Sequence, residues 1–90
     1  MKLVIDERAG EDLEDLASWI AKDHAGAART MVANLLRAME RLAELPRLGR
    51  EGRVAGTYEW VVAPYIIVYE VQQKPMTVVI IGIFHAARQR

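Results

Sequence analysis

Three apolar runs rich in β-branched and aromatic residues occupy the C-terminal third of the chain: Thr57–Val62, Tyr65–Val71 and Met76–Phe84. They are separated only by Ala63-Pro64 and by Gln72-Gln73-Lys74-Pro75, so consecutive runs have room to turn back on one another but not to cross over. The pattern predicts an antiparallel meander. The middle run is apolar almost throughout, which predicts a central strand covered on both faces, or covered on one and shielded by a partner on the other.

The N-terminal half has a helical period. Lys2–Ile5 is a short apolar run read as a strand, at an edge or in the centre of the sheet, and Asp6 caps the helix after it. That helix is predicted from Glu7 to Lys22, with Ala9, Leu13, Leu16, Ala17 and Ile20 forming one stripe. Trp19 lies beside that stripe and reads as an anchor at the core's edge or as part of a partner groove. Asp23-His24-Ala25-Gly26 turns the chain, and His24 reads as a surface residue or a charge at a helix C-terminus. A second helix is predicted from Ala27 to Leu45, carrying Ala28, Val32, Leu35, Met39 and Leu42, and the short link makes the pair an antiparallel hairpin. Leu45-Pro46 ends it, and the glycines at 49 and 52 permit turning. Val54-Ala55-Gly56 reads as the beginning of the sheet. The fold class expected is α+β, one domain spanning 1–90, with the helical hairpin on one face of an antiparallel sheet.

Charge and composition narrow the function. Residues 1–45 hold six Lys/Arg against nine Asp/Glu and residues 46–90 hold six against three, so a neutral chain has an acidic and a basic half. Zero net charge argues against avid, sequence-blind binding to nucleic acid, which needs many phosphate contacts. A local basic rim remains at Arg47, Arg50, Arg53, Arg88 and Arg90. The absence of cysteine removes thiolate chemistry and sulfur-ligated metals and suits a reducing cytoplasm. The apolar N-terminal run is too short for a membrane span or a signal-peptide core. No phosphate loop, zinc-protease motif or nucleophile elbow is present, and the two histidines are too isolated in sequence to suggest a metal site; no cofactor is expected.

Taken in order, Leu45-Pro46-Arg47-Leu48-Gly49-Arg50, Gly56-Thr57-Tyr58-Glu59, the strand Tyr65–Val71 with its Val68-Tyr69 pair, and Ile83-Phe84-His85-Ala86-Ala87-Arg88 carry a resemblance. The chain resembles the ParE/RelE superfamily of type II toxin–antitoxin toxins over essentially its whole length. The resemblance implies a cytoplasmic growth inhibitor of the plasmid-stabilisation type, neutralised by a cognate antitoxin, with no membrane partner. RelE-like members cut mRNA on the ribosome, and ParE-like members poison DNA gyrase.

For cleavage, His85 would transfer a proton while Arg88, Arg50 and Arg53 met the phosphorane charge. RelE-like enzymes resemble this set but add basic residues on the sheet and a tyrosine on a longer tail. Here Ile66 and Ile67 stand in the middle strand and Tyr58 follows the Gly-Thr pair, while the sequence ends two residues after Arg88. These departures favour the ParE-like reading; a degenerate toxin that only binds its antitoxin is a further alternative. Target contacts are expected from Arg50, Arg53, Tyr58, His85, Arg88 and Arg90, and antitoxin contacts from Trp19, Trp60 and Met31. His85 and Arg88 have a structural alternative, ending the last strand by bonding to adjacent backbone. Tyr58, Trp60, Tyr65 and Tyr69 are expected to pack in the core or across strands.

Overall fold

The computed structural model describes residues 2–87. β1 (Lys2–Ile5) leads into α1 (Glu7–Ala21) and α2 (Ala25–Glu44), and the chain continues through β2 (Arg50–Glu51), β3 (Thr57–Val62), β4 (Tyr65–Gln73) and β5 (Met76–His85). The sheet order is β1-β5-β4-β3-β2, so β4 is central and the helices form one layer against it.

Each junction has a local cause. The Asp6 carboxylate accepts the amide of Arg8, and Glu7 places negative charge in the first turn, where the helix dipole favours it. His24 is exposed, as its reading as a surface residue has it, but the alternative of a charge at a helix C-terminus is corrected: it sits at the N-cap of α2. Its Nδ1 accepts the Ala27 amide at 2.9 Å, so the helix begins at Ala25, two residues earlier than the spacing predicts. The expected strand at Val54–Gly56 is absent. The strand forms earlier, at Arg50–Glu51, because Gly52 donates to Thr57 O at 2.8 Å and Gly56, at φ +86°, turns the intervening loop.

The meander forms as expected, with β3, β4 and β5 antiparallel. β1 adds to β5 in parallel, so the sheet is mixed; the two helices supply the long connection that a parallel pairing needs. Ile81 is an extra residue in β5, since Val68 pairs with Gly82 while Tyr69 pairs with Ile80.

Alternation sorts the strands into two faces. Tyr65, Ile67, Tyr69, Val78, Ile80 and Ile83 meet Ala9 and Leu16 of α1 and Leu35, Met39 and Leu42 of α2 in a continuous core. Ile66 and Val68 face the other way, are 8% and 5% exposed, and take no part in that core. Both faces of β4 are therefore buried, but helices cover only one.

Candidate functional site: a latched loop and two sheet faces

The loop after α2 is fastened to β4 by one side chain. The Tyr69 hydroxyl donates to Pro46 O at 2.7 Å and accepts the Gly49 amide at 3.0 Å. The ring itself is fully buried and stacks on Tyr58, with centroids 5.5 Å apart. Burial raises the Tyr69 phenol above its ordinary 10.0; the Gly49 amide pulls it partway back, and the Tyr58 phenol adds to the rise. A Cβ on Gly49 would stand 2.5 Å from the hydroxyl and 2.7 Å from Glu59 O, so only glycine permits this approach.

The latch delivers Arg50 to β2, where it pairs with Glu59 and its Nη2 reaches Glu59 Oε1 at 3.2 Å. Arg47 and Arg53 lie in the same loop region and are both exposed. Arg50 is exposed as well, and is neutralised in part by a buried carboxylate. Arg88 and Arg90 lie outside the described residues.

His85 lies elsewhere. It ends β5 opposite Tyr65, edge-on to that ring at 5.4 Å, and its Nδ1 accepts the Ala87 amide at 3.1 Å. It shares the helix-facing side with Tyr65, whereas Arg50 shares the opposite side with Glu59. Three strand spacings, about 14 Å, also separate β2 from β5. The sheet therefore does not assemble His85 and Arg50 into one catalytic group. Tyr58 is again on the helix-facing side, bordering a groove of about 570 Å³ with Leu45, Pro46, Leu48, Val71 and Met76.

The face without helices is apolar at its centre. Register places Val61, Ile66 and Phe84 in one row, Glu59, Val68 and Gly82 in the next, and Thr57, Glu70, Val79 and Val4 in a third. Its strand-borne cations among the described residues are Arg50, tied to Glu59, and Lys2 at the far corner beside Thr77. The sequence shows that an isoleucine occupies position 66 but not where that side chain points, which depends on register.

Of the residues expected to meet a partner, Trp60 and Met31 are half-buried and pack against the core. Trp19 is 61% exposed, which overturns its reading as a core anchor: it comes after Leu16 on α1 but falls beyond the covered stripe, with the Lys22 ammonium 5.2 Å from its ring centre. The outer side of the helical hairpin carries a shallow groove of about 560 Å³ between Ala17, Ala21, Ala28, Val32 and Leu36. Among the described residues, no group of three or more metal-ligating side chains converges, and no helix is long and apolar enough to cross a membrane.

The family model for the ParE toxin of the type II toxin–antitoxin system parDE matches residues 3–90. The chain belongs to the ParE toxin family. A Sinorhizobium fredii protein named "Putative toxin Y4kP" is 39% identical over 84 residues, covering 91% of this chain and 84% of that protein. The fold is shared with the chromosomal ParDE system of P. aeruginosa at a TM-score of 0.81 and 18% identity, covering 94% and 95% of the two chains. It is shared as well with the isolated E. coli RelE toxin at a TM-score of 0.72 and 22% identity, covering 99% of this chain and 87% of that one. The ParE/RelE-like architecture and the type II toxin assignment thus agree with the order of motifs along the chain.

Proposed function

We propose that this ParE-family toxin inhibits growth by occupying a protein target, DNA gyrase, and that it does not cut RNA. The observation that carries the reading is the sheet face without helices. An RNA-cleaving site must neutralise a phosphorane and transfer protons to and from two oxygens, which calls for several cations and a proton donor within reach of one phosphate. Here that face presents the exposed Val61 and the half-buried Phe84 over the buried Ile66 and Val68, with the buried Glu59 and the half-buried Glu70 beside them. An apolar surface with a polar margin suits protein contact instead.

The second partner in this reading is a cognate antitoxin. The solved relatives include the RelBE2 toxin–antitoxin complex of Mycobacterium tuberculosis, similar at a TM-score of 0.70 and 23% identity over 93% of this chain and 95% of that one. The alanine-lined groove on the hairpin admits close approach of an amphipathic helix, with Leu36 exposed at its margin. Arg47 and Arg53 on the loop favour acidic residues on the same antitoxin.

Induced expression in cells tests the target, with plasmid topology and transcript integrity read from the same culture. Loss of negative supercoiling with intact transcripts supports the reading. Codon-linked transcript cuts with normal topology contradict it, and unimpeded growth supports the degenerate alternative. Co-expression with the product of the neighbouring gene should restore growth and yield a complex of the two proteins.

A further inference from the structure

Beyond Ile80 the outer edge of β5 has no strand partner among the described residues, because β1 ends at Ile5, which pairs with Ile80. The amide of Ile83 on that edge is taken instead by Asp12 Oδ2 of α1 at 2.9 Å. The carboxylate occupies the place that another strand's carbonyl would need, so this stretch of edge is closed to strand addition. Beside it a cleft of about 390 Å³ opens between α1 and the end of β5, lined by Asp12, Asp15, Leu16, Trp19, Tyr65 and His85 among others.

Three features of the cleft select one chemistry. Asp12 and Asp15 are one helical turn apart and project along the same side of α1, and the Asp15 carboxylate makes no hydrogen bond or ion pair among the described residues. Trp19, one turn further on, is exposed and already lies near a cation, the ammonium of Lys22. Tyr65 and His85 close the cleft with an edge-to-face ring pair. Carboxylates for charge and ring faces for a flat, weakly hydrated cation match a guanidinium. A metal ion is the poorer fit, since two carboxylates with one imidazole engaged through Nδ1 do not form a converging ligand set.

We propose that this cleft receives an arginine side chain of a protein partner, its guanidinium meeting Asp12 and Asp15 and its flat face lying against Trp19. The acidic charge of the N-terminal half, which the basic loop around Arg47 and Arg53 leaves unused, is thereby given a complement. The inference rests on the reading of this chain as a protein-binding toxin only for the partner's being a protein.

The site is tested without any toxicity assay by following the two indole N–H resonances of the purified full chain, with Trp19 assigned by Trp19→Phe. The probe is a blocked Gly-Arg-Gly peptide, compared with a blocked Gly-Gln-Gly peptide and with magnesium chloride. The arginine peptide should shift the Trp19 resonance saturably and leave Trp60 in place, while the glutamine peptide and magnesium should do neither. Asp15→Asn should weaken arginine binding at least tenfold with an unchanged thermal midpoint. Asp12→Asn, which keeps an oxygen for the Ile83 amide, should do the same; if it fails to fold, the Asp15 variant still decides. An equal response to the glutamine peptide or to magnesium, or full arginine binding by Asp15→Asn, would overturn the proposal. Arginine binding in a chain that proves harmless in cells would uphold the site and remove the toxin's target reading alone.

Discussion

Across twenty residues of chain, the Gly49 amide donates to the hydroxyl of Tyr69, which in turn donates to Pro46 O. A buried phenol thus holds the segment that positions Arg50. Tyr69→Phe keeps the stacked ring but leaves the Pro46 carbonyl and the Gly49 amide without this partner. The expected loss is about 1–3 kcal/mol in chemical denaturation, with faster amide exchange confined to the loop after α2.

The same phenol predicts alkaline sensitivity. Its value in the folded chain is raised, chiefly by burial, so above the ordinary 10.0 the folded state retains a proton that the unfolded state gives up. The contribution to stability is complete below pH 10 and declines as pH rises through the folded-state value. Denaturation midpoints measured across that range should fall less steeply in Tyr69→Phe than in the natural chain.

Gly49 is fixed by contact rather than by backbone angle. Alanine there would drive a methyl group into the Tyr69 hydroxyl and the Glu59 carbonyl, neither of which can move without breaking a hydrogen bond or the strand. Gly49→Ala should cost about 1–3 kcal/mol, an overpacking penalty. Combined with Tyr69→Phe it should cost less than the sum of the two, because the phenylalanine has no hydroxyl to strike. A double-mutant cycle checks this.

His24 caps α2 through Nδ1. His24→Ala should destabilise the chain by about 0.5–2 kcal/mol in thermal or urea unfolding, and His24→Ser should restore most of the loss.

Val61 lies on the face without helices, 49% exposed, in the row of Ile66 and Phe84. β2 pairs only with Tyr58 and Glu59, so among the described residues the outer edge of β3 at Val61 is unpaired and tolerates lysine. Val61→Lys should leave the thermal midpoint nearly unchanged and reduce inhibition of the target at least tenfold, read as the concentration giving half-inhibition.

Strand and helix existence was legible where period and length agreed: the stripe from Ala28 to Leu42 and the runs around Tyr65 and Val78 became α2, β4 and β5. What escaped depended on contacts between distant residues. Arg50–Glu51 is a strand because Glu59 and Tyr58 lie opposite, and nothing within a two-residue segment announces that. The parallel addition of β1 comes from where the hairpin returns the chain, not from the four residues themselves. Trp19 is a large aromatic of the kind that cores favour, yet it lies beside the stripe of α1 that packs on the sheet and stays exposed. In the candidate sites, His85 and Arg50 looked compatible as a pair of residue types, yet strand register sets them on opposite faces. The role of Asp12 had no signal at all in an acidic helix, because its partner is a backbone amide 71 residues away.

A toxin that acts by binding gyrase and not by cutting RNA should show both properties in one pair of reactions. Purified DNA gyrase is titrated with the purified chain and its supercoiling read, alongside a translation reaction whose mRNA is mapped for breaks. Concentration-dependent loss of supercoiling with unbroken mRNA is the predicted result. Cleavage of ribosome-bound mRNA at concentrations that leave gyrase fully active would contradict it.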